Sequence, residues 1–283
     1  MKRLIVTDST ADIPIDLSKE LSIQIMPVNL VLNNKSFRDG VDVTRSAFYQ
    51  NFDTYTTMTS EPVRYEDYAL KLLQLSHHYD EIIAIHCSSH LSDTYAIAEN
   101  VSQEFMEKSN CRVAVIDSGQ CSMGLGMIVL GAAKATQEGK TFEQTCQVVE
   151  QISQSMHSYM AIPTLKYLKK GKKINGMKAM FGLALGVKPV LEMQDGKMQI
   201  KSKLLGQQKN MILSMMDRIK QDVAGRPISL SIIYAGNDKL IHSLRNVFDS
   251  SFECRQIYIS RFSPSIAINT GPESYAVFFT PYA

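Results

Sequence analysis

The feature that most restricts the fold of this chain is an alternation, in its first half, of short apolar runs with segments of helical periodicity. Three apolar runs, Arg3–Thr7, Glu81–His86 and Arg112–Ile116, are predicted β-strands, and each is followed by small polar residues. Apolar residues recur at helical spacing around residues 65–73, 97–105, 123–136 and 141–157. Strands that alternate with helices predict an α/β domain with a mostly parallel sheet covered by helices.

The pattern changes near residue 157. Asp195 and Gly196 separate two strand-like runs, at 188–193 and 197–201, and this predicts a β-hairpin. The remaining predicted elements are strands at 159–162, 228–234, 256–259, 265–268 and 275–279 and helices at 165–173, 206–223 and 239–248. We therefore predict an α/β N-terminal domain at residues 1–157 and a smaller α+β C-terminal domain at residues 158–283, as expected for 283 residues at about 150 per domain.

Charge, hydropathy and cysteine content exclude several classes of protein. The formal net charge of +2 argues against a nucleic-acid-binding protein. No apolar run reaches the roughly 18 to 20 residues of a membrane-spanning helix, and Asp8 follows the first run too closely for a signal peptide. The 5 cysteines include no CxxC pair. This favours reduced thiols in a cytoplasmic protein and predicts no structural zinc or other metal site.

Hydroxyl-bearing residues follow all three predicted parallel strands. Ser9 and Thr10 follow the first, Ser88 the second and Ser118 the third. Ligands bind at the carboxyl ends of parallel strands, and hydroxyls with free amides suit a neutral or anionic head group. Because these groups supply neither a strong base nor a metal ligand set, they favour a binding pocket.

The segment 86–93 (HCSSHLSD) leaves an enzymatic alternative open. A serine-dependent hydrolase or acyltransferase could use Ser88, Ser89 or Ser92 with a nearby histidine. Triad members normally converge from separate elements, however, and the segment lacks a G-x-S-x-G elbow. We therefore prefer a polar strand end with His86 as a buried imidazole and Ser92 as the N-cap of the next helix.

Two further patterns have plain structural interpretations. Gly124, Gly126 and Gly131 lack the G-x-G-x-x-G spacing of a dinucleotide site, so we predict that they allow close packing of a helix. The lysines around Lys172 and Lys173 are typical of a solvated face, with a docking patch for an acidic or phosphorylated partner as the alternative.

Several short motifs, spread in order over nearly the whole chain, resemble those of the DegV family of lipid-binding proteins. The matching segments are DSTAD at 8–12, TSEP at 59–62, SSHLSDTY at 88–95, LKKGKKI at 168–174, KPV at 188–190 and NTGP at 269–272. Their common order and spacing carry the resemblance. It implies the two-domain EDD fold of that family, with one long-chain fatty acid in a tunnel between the domains and no cofactor.

The resemblance also implies a head-group site. Thr59, Ser92 and Asn269 match the family positions that hold the carboxylate, namely the threonine of TSQP, the serine of LSGT and the histidine of HTGPG. The implied function is that of a carrier that presents the lipid and performs no chemistry of its own. We predict as tunnel-lining residues Met177, Met180, Phe181, Leu183 and Leu185.

Departures from the family pattern bear on the partner, a separate fatty acid kinase that acts on the lipid of some members. Asp93 places a negative charge beside the expected carboxylate, Asn269 cannot carry a positive charge, and Leu205 stands near the place of an arginine. These changes argue against kinase partnership more than against lipid binding, and they permit a protonated acid or a neutral lipid. A third interpretation is an interaction protein whose lipid is only structural.

Overall fold

The computed structural model of the chain describes residues 1–162, 164, 166–170, 187–205, 208–236 and 241–281. The strands are β1 (Arg3–Asp8), β2 (Gln24–Met26), β3 (Asn29–Leu32), β4 (Lys35–Arg38), β5 (Met58–Glu61), β6 (Glu81–His86), β7 (Arg112–Asp117), β8 (His157–Ala161), β9 (Val187–Gln194), β10 (Lys197–Leu205), β11 (Ile228–Tyr234), β12 (Cys254–Arg261) and β13 (Tyr275–Thr280). The helices are α1 (Ile15–Glu20), α2 (Arg45–Gln50), α3 (Tyr65–Ser76), α4 (Thr94–Met106), α5 (Ser122–Gln137), α6 (Phe142–Ser155), α7 (Lys166–Lys170), α8 (Gln208–Val223), α9 (Ile241–Ser251) and α10 (Pro264–Thr270).

The first sheet has the strand order β2-β1-β6-β7, and all its neighbouring strands are parallel. Side chains alternate across it, so that Leu4 and Val6 pack in one cluster with α3 and α4, whereas Ile5 packs on the other face with α5. Both faces are therefore buried, as in a parallel sheet covered by helices. The α/β class predicted for this part of the chain is confirmed.

The second sheet has the order β10-β9-β8-β13-β11-β12, in which only the β11–β12 pair is parallel. One face packs on α8 and α9, and the other shares a core cluster with α5 and the first sheet. Helix α5 thus lies between the two sheets. A Cβ on Gly124 would lie 2.8 Å from Cδ1 of Phe278, and one on Gly126 would lie 2.5 Å from the carbonyl oxygen of Ala11, which confirms the close-packing interpretation.

The small antiparallel sheet, β4-β3-β5, and the β9–β10 hairpin each contain a tight turn with left-handed backbone. Asn33 and Asn34 connect β3 to β4 with φ of 49° and 63°, and Asp195 and Gly196 connect β9 to β10 with φ of 49° and 73°. Asn, Asp and Gly adopt this left-handed region more readily than other residues. The hairpin predicted at Asp195 and Gly196 is confirmed.

One predicted strand is wrong. Residues 265–268 lie inside α10, whose first residue is Pro264 and whose N-cap is Ser263. Proline suits the first helical position because its fixed φ is already helical and its missing N–H would have no partner there. The alternating apolar pattern of this short segment therefore reflects one buried side of a two-turn helix.

Some predictions fall outside the described residues, namely the site at Lys172 and Lys173 and the lining residues Met177, Met180, Phe181, Leu183 and Leu185. The domain boundary between residues 157 and 158 stays a prediction, although β8, the first strand of the second sheet, begins at His157. None of the helices in the described ranges is long and apolar enough to cross a membrane. Below, residues 1–156 are called the N-terminal part and the rest the C-terminal part.

Candidate functional site

A cavity lies where the carboxyl ends of β1 and β6 face α10. Its interior is partly open to solvent. Its polar lining includes Thr10, Ser60, Glu61, Ser92, Asn269 and Thr270, and its apolar lining includes Val28, Leu91, Met160, Leu168, Met198 and Ile266. Both parts of the chain contribute. Such a lining suits a ligand with a long apolar portion and a small polar head.

Ser92 lines this cavity just before α4 begins. Its Oγ accepts a hydrogen bond from the N–H of Thr94 at 3.3 Å and lies 3.0 Å from Oγ1 of Thr94. Oγ1 of Thr94 also accepts a hydrogen bond from the N–H of Val63 at 3.3 Å. This bond fixes the start of α4 against the segment after β5. The predicted N-cap is wrong by one residue, because Asp93 occupies the N-cap position without a side-chain capping bond, while Ser92 bonds the first helical amide.

Asn269 approaches Ser60 across the cavity. Its Nδ2 donates to the carbonyl oxygen of Ser265 at 2.9 Å and to Oγ of Ser60 at 3.4 Å. Its Oδ1 is buried and has no hydrogen-bond partner within the described ranges. Side chains alternate along β5, so Ser60 is half-buried in the cavity wall and Thr59 is exposed. The structure therefore brings Ser60, Ser92 and Asn269 to one cavity and places Thr59 outside its lining.

His86 is fully buried beneath the cavity. Its Nδ1 lies 3.0 Å from Oδ2 of Asp8, and its Nε2 lies 2.9 Å from the hydroxyl of Tyr68. Burial by itself would raise the pKa of Asp8, but hydrogen bonds from His86 and Thr10, together with the charge of His86, hold that pKa below its usual value. The predicted buried imidazole is confirmed, and both of its nitrogens are engaged away from serine.

The serines of the enzymatic alternative point elsewhere. Oγ of Ser88 donates to the carbonyl oxygen of Gly196 at 2.6 Å, in the β9–β10 turn, and Ser89 is exposed. In the part of the chain whose side chains the structure describes, which leaves out His242, no histidine ring hydrogen-bonds a serine hydroxyl. The same part of the chain contains no group of three or more His, Cys, Asp or Glu side chains that could hold a metal ion.

Asp12 joins the two parts of the chain behind the cavity. Its Oδ1 accepts the N–H of Ser263 at 2.7 Å, and its Oδ2 accepts the hydroxyl of Ser122 at 2.6 Å. Arg45 lies 3.9 Å away and partly offsets the burial that raises the pKa of Asp12. These bonds hold the start of α10 against the end of β1.

Asp39 makes a second buried connection of this kind. Its Oδ2 accepts the hydroxyl of Ser9 at 3.1 Å and the N–H of Ser265, within α10, at 3.4 Å. Burial, with a smaller contribution from the charge of Asp12, raises the pKa of Asp39 to about 6. The two carboxyl groups position α10 and hence Asn269.

Comparison with known proteins decides the family of this chain. The family described as "Uncharacterised protein, DegV family" matches residues 2–282. A DegV domain-containing protein of Caldanaerobacter subterraneus is 31% identical over 98% of this chain and 98% of its own length. This chain belongs to the DegV family. The resemblance on which the site prediction rests is thereby confirmed.

Solved structures of DegV proteins share the fold. A fatty-acid-binding DegV family protein from Thermus thermophilus superposes with a TM-score of 0.90 at 28% identity, covering 99% of each chain. DegV of Bacillus subtilis, a fatty acid binding protein, superposes with a TM-score of 0.89 at 22% identity, again covering 99% of each chain. The two-sheet arrangement with α5 between the sheets is therefore the DegV fold.

The sequence alone did not identify Ser265 and Thr270 as cavity residues, and it did not show that Ser60, and not Thr59, lines the cavity. For Ser60, the strand period of two was the missing step, because a strand at 58–61 sends adjacent residues to opposite sides. For Ser265, the predicted strand at 265–268 stands where the structure has a helix, and Thr270 is the last residue of that helix. The Ser263-Pro264 pair is a helix-start signal that would have corrected this assignment.

Proposed function

We propose that this DegV-family chain binds a long-chain fatty acid, or a closely similar acyl lipid, in the cavity between its two parts. The observation that carries the proposal is the cavity itself, in which apolar side chains from both parts surround Ser60, Ser92 and Asn269. The Thermus thermophilus protein, which is 28% identical, is a fatty acid binder. The proposed head-group residues are Ser60, Ser92 and Asn269, and Ser60 takes the place expected for Thr59.

Free energies of transfer indicate which part of the ligand supplies the affinity and which part sets its orientation. About fourteen buried methylenes at ~0.8 kcal/mol each give a gross gain of the order of 10 kcal/mol. A hydrogen bond to a charged head group contributes about 1.5–3 kcal/mol before the cost of removing its water. The acyl chain therefore supplies most of the affinity, and the hydroxyls of Ser60 and Ser92 fix the orientation of the head group.

The proposal makes the protein a carrier that leaves its cargo chemically unaltered. The geometry favours this role because His86 is committed to Asp8 and Tyr68, and Ser88 is committed to Gly196. A serine-directed fluorophosphonate probe is accordingly expected to label none of the serines of segment 86–93. Partnership with a fatty acid kinase stays a prediction of the resemblance.

The first test is mass spectrometry of lipid extracted from the purified protein. We expect about one acyl lipid per chain, and a protein that repeatedly yields none and takes up no added oleic acid would contradict the proposal.

The second test measures displacement of a fluorescent fatty acid from the variant Ser92→Ala. This substitution is expected to weaken binding by roughly 1–3 kcal/mol. Ser89→Ala is the matched control, because Ser89 is exposed in the same segment. Unchanged affinity in Ser92→Ala would place the head group elsewhere.

A further inference from the structure

The orientation of the Asn269 amide is fixed by its own contacts. The carbonyl oxygen of Ser265 can only accept a hydrogen bond, so the amide group that lies 2.9 Å from it must be Nδ2. That nitrogen also donates to Ser60, and both of its N–H groups are therefore used within the protein. The group that remains is Oδ1, a buried acceptor that has no hydrogen-bond partner among the described residues. A buried polar atom of this kind normally has a partner in the functional state.

Other polar groups in the cavity wall also act as acceptors. The hydroxyl of Thr10 donates to the Asp8 carboxylate, and that of Thr270 donates to the carbonyl oxygen of Ile266 at 3.3 Å. Each of these hydroxyls keeps only lone pairs for a ligand. Glu61 adds a carboxylate to the lining, and among the described lining residues none is a lysine, arginine or histidine. The hydroxyls of Ser60 and Ser92 can still donate to a ligand, and that of Ser265 lies 2.9 Å from the hydroxyl of Ser263, where either oxygen can be the donor.

We propose that the cavity selects an acyl lipid whose head group is uncharged and donates a hydrogen bond, either a hydroxyl or a carboxylic acid in its protonated form. The inference rests on the proposed lipid-binding function and specifies its ligand class. A head-group O–H gives Oδ1 of Asn269 the donor that it lacks, and a carbonyl or hydroxyl oxygen of the same head group accepts from Ser60 or Ser92. A carboxylate only accepts, so it would leave Oδ1 unpaired and would face Glu61 with a charge of the same sign.

The test compares oleyl alcohol, methyl oleate and oleate at pH 8 in displacing a fluorescent acyl probe. The alcohol is uncharged and donates, the ester is uncharged and cannot donate, and the acid is ionised in water at this pH. We expect the alcohol to bind about tenfold more tightly than the ester and at least as tightly as oleate. Equal affinity for alcohol and ester, or oleate tighter than the alcohol by tenfold, would overturn the inference.

A variant at Asn269 tests whether this residue causes the preference for the alcohol over the ester. Asn269→Leu keeps a side chain of similar size but has no acceptor, so the tenfold preference for the alcohol over the ester is expected to fall to about twofold or less. The circular dichroism spectrum and the melting temperature of the variant show separately that it folds. An unchanged preference in Asn269→Leu would overturn the assignment.

Carbon-13 NMR tests whether a fatty acid can supply the donor, as the alcohol does, by binding in its protonated form. Oleic acid labelled at its carboxyl carbon, bound to the protein at pH 7, is expected to resonate at the position of the protonated acid. A resonance at the carboxylate position would overturn the inference while leaving lipid binding intact. Failure of the alcohol, the ester and the acid alike to bind would instead contradict the proposed function.

Discussion

At the scale of single residues, the clearest prediction separates Ser60 from Thr59. Ser60→Ala removes a hydroxyl from the cavity wall, so we expect affinity for a fatty acid to fall about 5- to 20-fold, the equivalent of one hydrogen bond. Thr59→Val changes the adjacent, exposed residue and is expected to leave affinity within twofold. Displacement of a fluorescent fatty acid measures both. The reverse ranking would restore the role that the resemblance implies for Thr59.

This pair of residues shows what a motif can and cannot predict. The motif at residues 59–62 marks a segment that lines the cavity in the structure, although the sequence predicted no strand there. The motif did not show which of two neighbouring hydroxyls faces inward, since that depends on the register of β5 against β3. In the structure Ser60 pairs with Leu30, and Thr59 with Val31.

Asp39 gives a prediction about pH and stability. Its pKa rises from an ordinary value of 3.8 to about 6 in the folded protein. Between these values the folded state holds a proton that the unfolded chain has released, so stability falls as the pH rises through this range. Asp39→Asn can still accept from Ser9 and Ser265 but does not ionise. We expect it to be more stable than the natural protein at pH 7 by up to about 3 kcal/mol, and by far less at pH 4.

Urea unfolding of both proteins at several pH values measures this effect. The quantity of interest is the difference between their free energies of unfolding, in which the titration of all other carboxyl groups largely cancels. It should increase between pH 4 and pH 6.5. A difference that stays constant over that range would show that Asp39 keeps an ordinary pKa in the folded state.

At the scale of helices and strands, local signals sufficed wherever one segment's own chemistry decides its conformation. The turns at Asn33-Asn34 and Asp195-Gly196 demand left-handed backbone, and the residues there supply it. Helix α10 could have been predicted from its Pro264 start, but its seven residues carry too few turns for a clear helical period. Its conformation is also set by contacts with Asp12 and Asp39, which lie far away in the sequence.

Helix α5 allows a matched test of close packing. Gly126→Ala would place a Cβ 2.5 Å from a main-chain oxygen, at Ala11, which cannot move without shifting the end of β1. Gly131→Ala would meet Cδ1 of Ile152, the mobile end of a side chain. Both changes gain about 1 kcal/mol of helix propensity. Overpacking against the backbone costs about 1–3 kcal/mol, so we expect Gly126→Ala to be destabilised by one or two kcal/mol relative to Gly131→Ala.

Thermal or urea denaturation of the two variants gives this comparison directly. The two variants share a helix and a type of substitution. The difference between their free energies of unfolding therefore reports the effect of the atom that each new Cβ meets. Equal stabilities would mean that α5 can move away from the first sheet at little cost, and the position of α5 between the two sheets would then be less rigid than the packing indicates.

At the scale of the whole molecule, the cavity exists only because two distant parts of the chain meet. Ser263 and Asp12 are 251 residues apart, and Ser88 and Gly196 are 108 apart, yet hydrogen bonds join both pairs beside it. Alternation of strands and helices predicted the first, parallel sheet, but no local pattern states how the two large sheets are placed around α5. The family resemblance implied two domains with a lipid between them, and the buried polar contacts of Asp12 and Ser88 show how the two parts are joined in the structure.

A ligand held between both parts should stabilise the molecule as one unit. Any ligand that binds only the folded state adds RT ln(1 + [L]/Kd), or about 2.7 kcal/mol at a hundredfold excess over Kd. At about 2 °C per kcal/mol for a chain of this size, oleic acid added to delipidated protein is expected to raise the melting temperature by about 5 °C. Calorimetry should show a single transition that moves as a whole. Two transitions, of which only one responds to the lipid, would show that the cargo lies within one part of the chain, and no response at saturating lipid would contradict binding in the cavity.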